Sequence, residues 1–277
     1  MKILDGLELS GYIKERQLKQ VRSLRQSWRV IPRLAIINTG NNPVIGTYVR
    51  LKCEYGKDIM IEVDVFNTPE SELLGRIEKL NQDEHTHGVI LQLPLDDLTL
   101  TDNAINAIAP AKDVDGLGSG STFTPATAMA INWLLAGYNI ELSHKKIVIV
   151  GKGRLVGNPL AKLWKNSGLD VTSCDIGTIG LKDVLQSADV IVTATGAPAL
   201  VKSDMISLNA VVVDAGMATE GGKTVGDLDN AIRERKDLTI TPIRGGVGPL
   251  TVAALFDNVI FAARKIADKK GQQDVLN

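Results

Sequence analysis

The stretch Lys146-Ile-Val-Ile-Val150-Gly151-Lys152-Gly153-Arg154-Leu155-Val156-Gly157-Asn158-Pro159 decides the fold. A short apolar run reads as a buried strand, and the glycines that follow read as a tight turn. Pro159 suits the first turn of a helix, expected over residues 159–166. A strand–glycine turn–helix unit lets backbone approach a pyrophosphate at the positive helix N-terminus. The spacing is Gly-x-Gly-x-x-x-Gly, one residue longer than the common dinucleotide fingerprint, and ordinary tight βα turns also use glycine. The next strand pattern, Asp170-Val-Thr-Ser-Cys-Asp175, puts an acid 24 positions after Gly151. An acid there bonds ribose hydroxyls and repels a 2′-phosphate. Gly151, Lys152, Gly153, Arg154, Val156, Gly157 and Asp175 are therefore candidate cofactor-binding residues. A further buried strand pattern over residues 188–198 ends in the turn Thr195-Gly196, a candidate for the same site. Similar apolar runs at residues 210–216 and 239–242 extend the sheet. They lead to Gly245-Gly-Val-Gly248-Pro249-Leu-Thr251 and an apolar helix ending near residue 269, with residues 270–277 expected to fray.

The first half of the chain repeats the alternation. Leu9, Ile13, Leu18, Val21 and Leu24 recur at helical spacing within residues 7–28. Residues 34–38 and 60–66 read as strands, and Pro69 opens another helix. Gly88-Val-Ile-Leu-Gln92-Leu93-Pro94 reads as a parallel strand, buried on both faces. Between the first two strands, a turn at Thr39-Gly-Asn-Asn-Pro43 leads into a helix carrying Tyr48-Val-Arg-Leu-Lys52. Tyr48 and Lys52 are four residues apart and share a face. Such a pair is either an ordinary surface face or a phenol and an amine that stack on a flat substrate and move a proton. Gln92, at the C-terminal end of a buried strand, either satisfies local backbone or faces a ligand. Lys112-Asp-Val-Asp115-Gly116 places two carboxylates in a loop. Turn chemistry accounts for them, and the other ligands of a calcium loop are missing. Leu117-Gly-Ser-Gly-Ser-Thr122 reads as a flexible joint between domains.

The expected fold class is α/β, with two parallel-sheet domains flanking a cleft and the second of Rossmann type. The first domain spans residues 1–118, with a C-terminal helix over about 250–270 returning to it. The second spans 119–249.

Composition narrows the function classes. The formal net charge of −1 over 277 residues provides no general drive toward nucleic acid or anionic membrane. No apolar run reaches the ~18 residues needed to span a bilayer. Two distant cysteines, Cys53 and Cys174, fit a reducing cytoplasm better than a disulfide framework. His85, His87 and His144 have no metal-ligand spacing, so no metal is expected.

Five motifs occur in one order: Tyr48-Val-x-x-Lys52, Gln92-Leu-Pro-Leu95, Lys112-Asp-Val-Asp-Gly116, Gly151 through Pro159, and Gly245-Gly-Val-Gly-Pro-Leu-Thr251. With them the chain resembles the bifunctional methylenetetrahydrofolate dehydrogenase/methenyltetrahydrofolate cyclohydrolase family over nearly its whole length. The resemblance implies oxidation of 5,10-methylenetetrahydrofolate by hydride transfer to a nicotinamide, then hydrolysis to 10-formyltetrahydrofolate. That is one-carbon metabolism of the kind that serves purine biosynthesis. It also implies a cytoplasmic homodimer formed largely through the nucleotide domain. Lys52 matches the catalytic lysine, Gln92 the glutamine that orients it, Tyr48 the tyrosine that stacks on folate, and Asp115 the aspartate that binds the pterin. Leu93, Pro94, Gly248, Pro249 and Thr251 match segments beside the substrate.

Several positions depart from the family. The loop between Gly116 and Phe123 is shorter. Pro125-Ala-Thr-Ala128 lacks the cysteine and second proline of the family's Pro-Cys-Thr-Pro, the usual serine near Ile45 is absent, and Arg244 replaces a proline. Gly151-Lys152-Gly153 replaces Gly-Arg-Ser, and Asp175-Ile-Gly-Thr178 replaces His-Ser-x-Thr. The family cofactor is NADP, but Lys152 lacks a bidentate fork and Asp175 repels phosphate, which favours NAD or dual use. The competing readings are a dehydrogenase with weakened cyclohydrolase, a catalytically dead folate- or nucleotide-binding protein, and another two-domain dehydrogenase such as one acting on shikimate.

Overall fold

The structure, a computed structural model, describes residues 1–40, 43–220 and 223–276. The turn expected at Thr39–Pro43 includes Asn41 and Asn42, which lie outside the described residues. Along the chain come β1 (Lys2–Ile3), α1 (Gly6–Ser27), β2 (Arg33–Asn38), α2 (Pro43–Asp58), β3 (Glu62–Asn67), α3 (Leu73–Gln82), β4 (Gly88–Leu91) and α4 (Thr101–Ala107). Then follow α5 (Ala126–Gly137), β5 (Ile147–Val150), α6 (Gly157–Asn166), β6 (Val171–Cys174), α7 (Leu181–Gln186), β7 (Val190–Thr193) and β8 (Val211–Asp214). The last elements are β9 (Ala218–Glu220), β10 (Lys223–Val225), β11 (Thr239–Ile240) and α8 (Val247–Leu276).

The chain forms two α/β units. One comprises residues 1–10 and 127–251, the other residues 11–126 and 252–277. The first holds a six-stranded parallel sheet of order β1-β11-β8-β7-β5-β6. Its central strands β5, β7 and β8 are near-continuous Val/Ile runs because both faces are covered, as expected for a parallel sheet. Val148, Val150, Ile191, Val212, Leu185 and Ile232 belong to its core. Strand order reverses at β5, with β6 on one side and β7 on the other, which makes the end of β5 a topological switch point.

The second unit is built on a three-stranded parallel sheet of order β3-β2-β4. Ile37, Val89 and Leu91 pack there with Leu73, Ile77 and Leu80 of α3 and Ala104 and Ile105 of α4. The part of α8 from residue 252 onward belongs to this unit. Tyr55 of α2 stacks on Phe256, with ring centroids 5.2 Å apart. The Tyr55 hydroxyl donates to Gln17 Oε1 at 2.8 Å, and Gln17 Nε2 donates to the carbonyl of Ala253 at 2.8 Å.

Several sequence-based boundaries differ. The first ten residues belong to the six-stranded unit, because β1 pairs with β11 through Lys2 N–H to Leu238 O and Leu4 N–H to Ile240 O, both 2.9 Å. The Gly/Ser segment at 117–122 is no free joint. Gly118 N–H donates to Asp113 Oδ2 at 2.8 Å, Ser119 N–H and hydroxyl donate to Asn106 Oδ1 at 2.8 Å, and Ser121 Oγ donates to Asp113 O at 3.1 Å. The division falls after residue 126 instead of 118. The last helix begins at Val247 and continues to Leu276, so the tail expected to fray is helical through that residue.

Candidate active site

In the three-stranded unit, register aligns the strand ends. Ile37 pairs with Leu91, and Gln92 N–H donates to Ile37 O at 2.9 Å, which places Gln92 just past the C-terminal edge of β4. Open parallel sheets bind ligands at this edge. Helix α2 follows β2 and presents Tyr48 and Lys52 one turn apart, both half-buried.

Lys52 Nζ donates to Gln92 Oε1 at 2.9 Å. The other end of the amide is also engaged, since Gln92 Nε2 donates to Leu93 O at 3.3 Å. That bond fixes which end of the amide faces the amine. Burial pulls the Lys52 amine below its ordinary value of 10.5, while the charges of Asp115 and Cys53 oppose the shift. Burial also raises the Asp115 carboxyl, which Lys52 pulls down and Asp113 pushes up. Lys52, Gln92 and Asp115 therefore form one electrostatic group. Leu93 and Pro94, joined by a cis peptide bond, follow Gln92.

The two aspartates of the 112–116 loop have separate tasks. Asp113 is buried and accepts from Gly116 N–H at 3.2 Å and Gly118 N–H at 2.8 Å, the turn chemistry its spacing suggested. Asp115 is the one that senses Lys52. Gly116 adopts φ 73°, and a Cβ on it would lie 2.8 Å from Pro125 N, so glycine closes this loop. The sequence reading missed Asn258 of α8. It is 7% exposed, and its Nδ2 donates to Val114 O at 2.8 Å and Thr124 O at 3.0 Å, which pins the loop that carries Asp115. The available signal was Asn258 beside Asp257 inside the otherwise apolar run Ala253–Ile260.

In the six-stranded unit, Val150 pairs with Cys174 and Thr193, and Thr193 with Asp214. The turns at Gly151, Asp175 and Thr195-Gly196 therefore leave the same C-terminal edge. Gly151 has φ 119°, and a Cβ on it would lie 2.3 Å from Ala194 O. A Cβ on Gly157 would lie 1.8 Å from Gly151 O, so only glycine lets α6 start this close to the turn. Helix α6 begins at Gly157, before Pro159, and Val156 provides no side-chain cap. No side chain caps its first turn, where Asn158 N–H donates to Gly153 O at 3.1 Å and Pro159 has no N–H, so the Gly157 N–H and the glycine turn itself are what a pyrophosphate would meet. A Cβ on Gly153 would meet nothing within 4 Å, so the space beside the turn is open at this position.

Lys152 Nζ donates to Asp175 Oδ2 at 2.8 Å. Asp175 Oδ1 accepts from Gly177 N–H and Thr178 Oγ1, both at 3.1 Å. The Lys152 bond, then Thr178, hold the Asp175 carboxyl below its usual range. Ile176 is exposed, as is Arg154. Gly248, Pro249 and Thr251 lie in this unit as well, in the first turn of α8, where Thr251 Oγ1 donates to Val247 O at 3.2 Å.

A cavity of about 560 Å³ in the three-stranded unit lies at the opposite strand ends, beside Arg33, His87 and Lys112. Two of its cations are engaged elsewhere, Arg33 with Glu62 and Lys112 with the carbonyls of Leu80 and Asp83. Among the described residues no group of three or more His, Cys, Asp or Glu side chains is placed to hold a metal, and no helix is long and apolar enough to cross a membrane.

The chain is similar in sequence and fold to known proteins. Residues 4–115 match the catalytic domain of tetrahydrofolate dehydrogenase/cyclohydrolase, and residues 125–267 match its NAD(P)-binding domain. The bifunctional protein FolD of Campylobacter jejuni is 38% identical over 279 aligned positions, covering 95% of this chain and 99% of that protein. A crystal structure of the C. jejuni FolD dehydrogenase/cyclohydrolase superposes with a TM-score of 0.90 at 36% identity, covering 96% of this chain and 99% of the other. The Trypanosoma brucei dehydrogenase-cyclohydrolase, solved with NADP and an inhibitor, has a TM-score of 0.90 at 29% identity and covers 95% and 97% of the two chains. With both domain matches in sequence order and 38% identity over nearly its full length, this chain belongs to the tetrahydrofolate dehydrogenase/cyclohydrolase family.

Proposed function

We propose that the chain oxidises 5,10-methylenetetrahydrofolate with a nicotinamide dinucleotide and hydrolyses the methenyl product to 10-formyltetrahydrofolate, with Lys52 as the proton-transfer group. The observation that carries this reading is the Lys52–Gln92 bond at 2.9 Å beside Asp115, with the amine pulled below its ordinary value. The unit holding these residues takes the folate, and the six-stranded unit takes the dinucleotide. The close glycine turn ahead of α6, whose first turn no side chain caps, fits a pyrophosphate. When bound, the dinucleotide accepts the hydride released from the methylene carbon.

Hydrolysis needs only groups of the folate-binding unit. Neutral Lys52 takes a proton from water as the oxygen attacks the methenyl carbon, and returns it to N5 as the carbon–N5 bond breaks. The second water proton leaves as the formyl carbonyl forms. Gln92 presents a neutral oxygen to the amine, so it orients Lys52 without the charge that would keep it protonated. Tyr48, on the Lys52 face of α2, stacks on the pterin. Asp115 accepts its N–H groups. Leu93 and Pro94, next to Gln92, complete the folate contacts of this unit. Following methenyl absorbance separately from nicotinamide reduction tests both activities. A methenyl signal that persists with enzyme at its uncatalysed rate leaves a dehydrogenase only.

For the cofactor, the Lys152–Asp175 pair favours NAD or dual use over NADP. Asp175, held by Thr178 and Gly177, faces a ribose diol well and a 2′-phosphate poorly, and Ile176 offers no hydrogen bond. A ratio of kcat/KM for NADP over NAD of about 100 or more, some 2.7 kcal/mol of discrimination, contradicts this. The family resemblance also supports a cytoplasmic homodimer that serves purine biosynthesis, and sedimentation tests the assembly.

A further inference from the structure

Asp227 belongs to none of the motifs above. It follows β10 in the six-stranded unit and is 0% exposed. Its Oδ2 accepts the N–H of Thr195 at 2.6 Å, and its Oδ1 has no hydrogen-bond partner among the described residues. Burial raises its carboxyl, while bonds from Thr195 and the Gly196 N–H oppose the rise. Asp214, at the end of β8, lies alongside. Asp214 Oδ1 accepts from Asp227 N–H at 3.1 Å, Gly216 N–H at 3.1 Å and Thr193 Oγ1 at 3.2 Å. Arg233 pairs with Asp214 Oδ2 at 3.4 Å.

Two glycines admit these carboxylates. A Cβ on Gly216 would lie 2.0 Å from Asp227 Oδ1, and one on Gly226 would lie 2.1 Å from Asp214 Oδ2. Burying a carboxylate without a cationic partner of its own is costly. What this one holds is the turn after β7. Ala194 of that turn donates to Val150 O at 2.7 Å, and its own carbonyl is the surface that Gly151 abuts. A continuous path therefore runs from Asp227 through Thr195 and Ala194 to Gly151.

We propose that Asp227 is a positioning residue for dinucleotide binding, holding the Thr195-Gly196 turn and, through Ala194, the Gly151 turn in the geometry that receives the cofactor. This rests on the reading that the six-stranded unit takes the dinucleotide. Asp227 then matters for hydride transfer and not for hydrolysis, which uses no dinucleotide.

The full-length wild type, Asp227→Ala, Asp227→Asn and Gly216→Ala are compared in both reactions with NAD and NADP. Asp227→Ala raises the dinucleotide KM about tenfold or more with little change in kcat, and methenyl hydrolysis stays within about twofold of wild type. Asp227→Asn keeps an acceptor for Thr195 N–H and restores KM to within about threefold. Gly216→Ala drives a Cβ into Oδ1 and repeats the KM rise. An unmoved dinucleotide KM in Asp227→Ala overturns the proposal, as does parallel loss of both activities in all three variants. Should Asp227→Ala not fold, an unmoved KM in Gly216→Ala overturns it instead. A wild type that reduces neither dinucleotide overturns the underlying cofactor reading and this inference with it, whereas a working wild type with unmoved variants overturns this inference alone.

Discussion

A lysine that accepts a proton near neutrality must give up its charge more readily than it does in water. Burial does this for Lys52, and the neutral amide of Gln92 does not undo it. Replacing Gln92 with Glu adds an anion at the same 2.9 Å contact, raises the amine and moves the rising limb of the hydrolysis pH profile to higher pH. A limb that stays in place or moves lower removes Gln92 from this role. Lys52→Met is expected to lose hydrolysis by about 100-fold or more. The same shift has a consequence for stability. With the folded pKa below 10.5, the native state binds fewer protons than the unfolded chain between the two values, so stability rises with pH across that window. Below it, the charged amine is a burden that Met removes. The Tm of Lys52→Met should therefore equal or exceed that of wild type at neutral pH, with the gain shrinking as pH approaches 10.5, and a lower Tm at neutral pH contradicts the assigned burial cost.

Element by element, the sequence reached the strands and the glycine turn because parallel strands and βα turns have strong local signatures. It reached Tyr48 and Lys52 through their helical spacing, but whether that face meets a ligand depended on Gln92, which is 40 residues away. Asp113 and Asp115 could not be told apart, because the difference lies in which backbone groups surround each one. Asn258 was hidden for the same reason, since its partners Val114 and Thr124 are more than a hundred positions upstream. Its role is testable at this scale. Asn258→Leu leaves two carbonyls without their donor, at a cost of about 1–3 kcal/mol. A lower Tm and a raised folate KM, with an unchanged dinucleotide KM, are expected. Unchanged folate KM in a destabilised variant would reduce Asn258 to a packing role.

At the scale of the molecule, the chain crosses between its two units more often than its sequence shows. Strand β1 is two residues long, too short for any periodicity, yet its pairing ties the first ten residues to the six-stranded unit. The Gly/Ser composition of residues 117–122 suggested a hinge, but Asp113 and Asn106 tie that segment down. Each unit carries half of the proposed reaction: a proton-transfer group in one and a dinucleotide edge in the other. The most direct test is a single coupled assay of the purified chain with 5,10-methylenetetrahydrofolate and NAD or NADP. Reduced nicotinamide and methenyl absorbance are followed together. The expected result is nicotinamide reduction, without a strong preference for NADP, accompanied by methenyl product that passes on to 10-formyltetrahydrofolate. Absence of reduction with both dinucleotides, together with an uncatalysed rate of methenyl hydrolysis, would contradict the account.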